Sequence, residues 1–171
     1  MARKKISLRE FQEYLAGRLT SAARGDVVDA VLGIQSGGES WMLGLTDSGE
    51  IVSLPPLTPV PMTKPWFAGM ANIRGNLYAV VDFAGFRGIE PTPLNSNTRL
   101  VLIGTRFGVN CAILVNRMLG LRPAGNFSPL QDSGGEPGWV DGAFEDQEGQ
   151  RWRRLNVAGL LGDPEFMQVG L

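Results

Sequence analysis

Histidine is absent from this 171-residue chain, and cysteine occurs once, as Cys111. The first absence removes the side chain that most often serves as general base, phospho-acceptor or metal ligand near neutral pH. A zinc site would have to be assembled from carboxylates and one thiol, a poor donor set for that metal. One cysteine excludes an internal disulfide, and Cys111 lies in an apolar run where a thiol behaves as a small buried hydrophobe. No apolar stretch approaches the roughly 20 residues of a membrane-spanning helix. Charge is balanced: 16 Lys+Arg against 17 Asp+Glu give a net charge of −1, so no global field draws the chain to nucleic acid or an anionic membrane. The basic start, Met1-Ala2-Arg3-Lys4-Lys5, precedes an amphipathic stretch rather than a secretory one. The expectation is a cytoplasmic, non-enzymatic protein with no cofactor and no metal.

What is present is glycine, proline and short β-forming runs. Hydrophobic content of 43% with 19% charged residues marks an ordinary globular chain. Ile6 to Ala23 reads as an amphipathic helix, opened by a Ser7/Glu10 capping box, with Leu8, Phe11, Leu15 and Leu19 on one stripe. That stripe either docks on the domain's own core or offers a surface to a partner. From Asp26 the pattern turns to β: strands over 28–34, 41–45 and 51–54 are separated by Ser36-Gly37-Gly38 and Asp47-Ser48-Gly49. Pro55, Pro56, Pro59, Pro61 and Pro65 make 55–65 a loop or an edge crossing, because proline donates no ladder hydrogen bond. Further strands fall over 99–104, 109–115 and 118–122. A loop follows over 125–137, then a hairpin around Asp146–Gly149, and a last short helix over 156–161. The polar stretch 88–98 reads as a linker between two subdomains. Many short strands with few helices argue for small β-barrels over a sandwich.

The most informative segment is Trp66 to Phe83. Gly75-Asn76 supplies residues that tolerate positive φ, so the backbone reverses there, and Arg74 is held at the bend. Leu77 to Val81 is an apolar run suited to a strand buried on both faces. Asp82 is placed to cap a helical turn over 83–87, closed by Gly88. Gly69, then Asn72-Ile73-Arg74-Gly75, then Val81-Asp82-Phe83 resemble the signature of the CheW family, adaptors of bacterial chemosensory arrays. The second half is similar too, in Val115-Asn116-Arg117-Met118-Leu119-Gly120-Leu121 and Gly138-Trp139-Val140-Asp141-Gly142-Ala143-Phe144, with Asn116 where the family usually carries aspartate.

The resemblance implies a mainly β fold of two interlocked five-stranded barrels, here preceded by the N-terminal helix (residues 1–25 outside a domain of 26–171). It also implies an adaptor between the cytoplasmic tip of a methyl-accepting chemoreceptor and the CheW-like regulatory domain of a CheA-type histidine kinase. Within the family, the form of the Trp66–Gly75 segment is most similar to the branch serving type IV pilus twitching motility; flagellar chemotaxis is the alternative. The resemblance places partner contact on Arg74, with Trp66, Met70, Asn72, Ile73 and Gly75 around it. The residues alone leave a second role open for Arg74, an internal ion pair with Asp82 that orders the hairpin. Asn72 and Gly75 read as shaping the turn. Trp41, Trp66, Phe67, Met70 and Trp139 beside turns are either interface anchors or plugs of the barrels. Two other chemistries are weighed: Arg151-Trp152-Arg153-Arg154 as a nucleic-acid contact, opposed by Glu145, Asp146 and Glu148, and Asp141, Glu145 and Asp146 as an acid/base pair lacking a second catalytic group.

Overall fold

The computed structural model describes residues 30–103, 105–131 and 135–171, together with position 12. The amphipathic helix expected over 6–23 lies outside these residues apart from Gln12, as does the boundary near residue 25. Eleven strands follow: β1 (Ala30–Ser36), β2 (Glu39–Gly44), β3 (Ser48–Ser53), β4 (Phe67–Ile73), β5 (Asn76–Asp82), β6 (Arg99–Ile103), β7 (Cys111–Val115), β8 (Arg117–Pro123), β9 (Ser128–Pro129), β10 (Val140–Glu145) and β11 (Arg151–Leu155). Three short helices are α1 (Phe83–Phe86), α2 (Val157–Leu161) and α3 (Pro164–Met167). Asp82 caps α1 as the sequence indicates, its Oδ1 accepting the Gly85 N–H at 3.3 Å, and the structure adds a second cap at α2, where Asn156 Oδ1 accepts the Gly159 N–H at 2.9 Å.

The strands form a six-stranded sheet, β8-β1-β2-β11-β10-β9, and a five-stranded sheet, β3-β6-β7-β5-β4. Two five-stranded barrels are therefore not what the pairing gives: one sheet has six strands, and among the described residues no ladder joins β8 to β9 or β3 to β4. The short β9 lies inside the stretch 125–137 that reads as loop. Within each sheet one parallel pairing, β2 with β11 and β5 with β7, joins segments far apart in the chain. The polar stretch 88–98 connects α1 to β6, and so joins strands of the same sheet. The chain passes between sheets at 45–47 and at Asn116. There the side-chain amide oxygen accepts the Gly37 N–H at 2.9 Å, a contact that needs an acceptor but no charge.

Alternation along the central strands explains their apolar runs. Leu32, Ile34, Trp41 and Leu43 of one sheet meet Val81, Val101, Ile113 and Val115 of the other in a shared core. The neighbouring residues Leu100, Leu102, Ala112 and Leu114 point the opposite way, into a second core with Ala71, Ile73 and Val80. Val31, Met42 and Trp152 form a third core under the six-stranded sheet. Strands buried on both faces read as continuous hydrophobic runs because neither face meets water. Each sheet curls around a small core of its own while the two share a larger one.

Aromatic rings fill the shared core where α1 meets both sheets. Trp41 lies edge-on to Phe83 (centroids 5.0 Å apart), Trp139 lies 5.9 Å from Trp41 and 5.8 Å from Phe86, and Phe86 lies 5.1 Å from Trp66. Beside them Arg87 clasps the sheets together. Its side chain is only 5% exposed, and its guanidinium sits 4.6 Å from the Phe83 ring and 4.9 Å from Trp41. Arg87 pairs with Glu39 of β2 and donates to the Ser36 carbonyl at 2.9 Å. Burial pulls its pKa below the usual arginine value, and the Glu39 pair opposes that.

The two halves of this pair are not equivalent. Glu39→Ala strands a buried cation and is expected to cost about 2–3 kcal/mol. Arg87→Met fills the space and lets the half-exposed Glu39 rehydrate, so it should cost about half as much. Urea unfolding of the two variants measures both, and equal costs would contradict the clasp.

Candidate functional site

The β4–β5 hairpin is closed by the pair Ile73–Asn76, which leaves Arg74 and Gly75 as the two turn residues. Their φ angles are +52° and +86°, the left-handed pair that a two-residue type I′ turn requires. The sequence places the reversal at Gly75-Asn76; the structure shifts it back by one residue and puts the unfavourable backbone on Arg74 itself. Asn72 Oδ1 accepts the Gly75 N–H at 2.9 Å and holds the turn. A non-glycine residue in this region is strained, and it persists only where its surroundings fix it.

Arg74 does not pair with Asp82. That carboxylate is buried and accepts from Thr92, at 2.8 Å from the N–H and 2.6 Å from the hydroxyl. The partner of Arg74 is Glu50 on β3, a fork-on-fork contact in which Nη1 donates to Oε1 at 2.7 Å and Nη2 to Oε2. β3 and β4 are the two edges of the five-stranded sheet, so this ion pair spans its open side. Thr58 closes the same side by exchanging two 2.8 Å backbone hydrogen bonds with Met70. The close approach explains Gly69: its φ is +130°, and a Cβ there would lie 2.5 Å from the Thr58 carbonyl oxygen.

The six residues placed around this hairpin separate by exposure. Arg74 is 65% exposed at its side chain, while Glu50 is only 19% exposed, so the cation offers its outer edge to solvent. Asn72 and Gly75 are exposed and Met70 is half-buried. Ile73 and Trp66 belong to the cores and present no apolar surface to a partner. Trp41 and Trp139 are core residues as well. Leu77, taken as part of a strand buried on both faces, is 58% exposed and flanks the turn; only the second half of β5 is buried. Glu50 and Leu77 are what the sequence reading missed. Glu50 is 24 residues from Arg74, and no local pattern links them.

The other weighed chemistries find different partners. Arg153 faces Glu39 at 3.4 Å and Glu136 at 3.8 Å, and Trp152 is buried, so 151–154 presents no run of free cations flanking an open ring. Asp146 is a loop organiser: it accepts the Trp152 indole N–H and the Glu148 and Gln150 amides, each at 2.9 Å. Those bonds, the indole first, hold its carboxyl below the usual range and keep it ionised.

Comparison with known proteins matches residues 30–165 to the CheW-like domain. The chain belongs to the CheW-like family. Protein PilI of Pseudomonas aeruginosa is 28% identical over 145 residues, spanning 82% of this chain and 79% of that relative. The crystal structure of the scaffolding protein TtCheW from Thermoanaerobacter tengcongensis superposes with a TM-score of 0.64 at 17% identity, covering 75% of this chain and 89% of that one. The CheW-like match contains the whole hairpin, Glu50 included. No helix among the described residues is long and apolar enough to cross a membrane.

Two outcomes are expected at the hairpin. The Arg74 hydrogen bond depresses the Glu50 pKa, with burial opposing, so the pair stabilises the fold at neutral pH. That contribution fades as pH falls from the ordinary glutamate range through the folded pKa of Glu50. The urea-midpoint gap between wild type and Glu50→Gln should therefore shrink from pH 7 to pH 3, and a constant gap would contradict the pair. Gly69→Ala should cost at least about 2 kcal/mol, because it combines a positive φ with a backbone clash; thermal unfolding checks this.

Proposed function

We propose that this CheW-like chain is a non-enzymatic adaptor that holds the cytoplasmic tip of a chemoreceptor against the CheW-like regulatory domain of a CheA-type histidine kinase. The single observation that carries the reading is Arg74, an exposed guanidinium fixed on a strained turn inside a domain of the CheW-like family. Two features suit it to partner contact. Asn72 and Glu50 fix the fork before a partner arrives, so little side-chain entropy is lost on binding. Leu77 beside it supplies exposed apolar area. A partner carboxylate at the outer edge of the fork would share the cation with Glu50. Two sheets with separate outer faces let one molecule engage two partners and raise their effective concentration for each other.

The likeness to PilI, along most of both chains, supports a chemosensory system that governs type IV pilus twitching motility. The resemblance of fold to the scaffolding protein TtCheW is equally compatible with a flagellar chemotaxis system. Deleting the gene separates them: loss of twitching with intact swimming supports the first, and the reverse supports the second. On this reading the domain extends over 26–171, residues 1–25 form an extension to it, and the protein sits in the cytoplasm beside membrane-associated arrays.

Arg74→Ala should leave the fold intact and weaken binding to kinase or receptor by about tenfold or more, the usual scale for removing one side of an interfacial charge contact. Calorimetric titration against the purified kinase and receptor fragments measures it. Unchanged affinity for both would reduce Arg74 to ordering its own turn.

A further inference from the structure

The chain beyond α2 lies mostly outside the CheW-like match, which stops at residue 165. Asp163 caps α3, its Oδ1 accepting the Glu165 N–H at 2.8 Å. The helix lays Phe166, 2% exposed, against two aromatic residues of the junction. Its ring is stacked on Trp66 (6.3 Å, planes 6° apart) and edge-on to Phe86 (5.2 Å, 88°). The tail then pairs with the proline-rich loop. Lys64 N–H donates to the Val169 carbonyl at 2.8 Å and Leu171 N–H to the Met62 carbonyl at 3.0 Å, around an antiparallel bridge between Thr63 and Gly170. Trp66, under the strap, accepts the Asp82 N–H at 2.8 Å and so joins the start of β4 to the end of β5.

We propose that residues 163–171 are a releasable strap. Closed, it covers Trp66 and Phe86 and clamps the root of the Arg74 hairpin; open, it uncovers that aromatic face while both sheets stay folded. Its attachment is slight for its length. Among the described residues one side chain, Phe166, is deeply buried, Val169 packs half-buried against the shared core, and two backbone hydrogen bonds reach the loop. Met167 and Leu171 on the strap, and Met62 opposite, are 57%, 83% and 78% exposed, so they add little to its hold. The loop it pairs with carries five prolines over 55–65 and has few other backbone partners. Ile113, by contrast, sits in a central strand with ladders on both sides and is fully buried. Segments that differ this much in burial and bonding open at different free energies, the weakly held one first and alone.

Native-state hydrogen exchange on the whole chain, followed residue by residue across low urea concentrations, tests the strap. The Lys64 and Leu171 amides should exchange at least tenfold faster than Ile113, with one shared, shallow dependence on urea, while Ile113 shows the steep dependence of global unfolding. A disulfide between Thr63→Cys and Gly170→Cys should slow both fast amides at least tenfold when oxidised and restore their rates when reduced. Cys111 does not interfere, because burial raises its pKa to about 11. The proposal is overturned if Lys64 and Leu171 follow the Ile113 dependence, if they differ from each other, or if the closed disulfide leaves their exchange unchanged.

Discussion

Both sheets depend on the aromatic junction at α1, where Trp41, Phe83, Phe86, Trp139 and Trp66 pack in edge-to-face and tilted pairs. These rings come from β2, from α1 and from the residues leading into β4 and β10, so the contact exists only when every segment is in place. Each well-oriented pair adds about 0.5–1.5 kcal/mol beyond its buried area. The geometry also sets the direction of the chain. Asp82 ends β5 and starts α1, Phe83 enters the junction at once, and Arg87 leaves it to clasp Ser36 and Glu39 on the other sheet. A short helix of four residues thereby locks two sheets that, among the described residues, share no strand ladder.

The same junction holds the root of the β4–β5 hairpin that carries Arg74. Trp66 leads into β4 and its carbonyl accepts the Asp82 N–H, so the strand pair projects from a tied base and carries Arg74 at its far end. In the proposed role, rigidity at the base and strain at the tip present the Arg74 cation at a defined place with part of its conformational entropy already spent. Glu50 completes the arrangement from the opposite edge of the sheet and ties the tip to the body of the domain. Adaptor function requires no cleft and no titrating group, only surfaces whose relative positions do not change.

Much of this was legible in the residues themselves. The apolar runs over 99–104 and 109–115 marked β6 and β7 as strands, and Asp82 announced its helical turn through capping chemistry. The Gly69-to-Phe83 signature led to the family. The failures are instructive because they share one cause. Placing the turn one residue late and leaving Asp82 open as the internal partner of Arg74 both came from local pattern, which carries no information about what lies across a sheet. The stretch 125–137 hid β9 because glycine and proline content speaks against a strand while a neighbour such as β10 can still recruit a few residues into one.

What the amino-acid sequence determined by itself was the class of protein: β-rich, without histidine chemistry, built from short strands and precise turns, with one arginine at a bend. Those properties follow from side-chain chemistry and from spacing along the chain, which are local quantities. Only the tertiary structure decided that β2 pairs with β11 and β5 with β7, that Glu50 meets Arg74 across the open side of a curled sheet, and that the last nine residues close over Trp66. Such contacts join residues far apart in the chain. Their free energy comes from burying surfaces that exist only after the strands have assembled, so no window of sequence contains it.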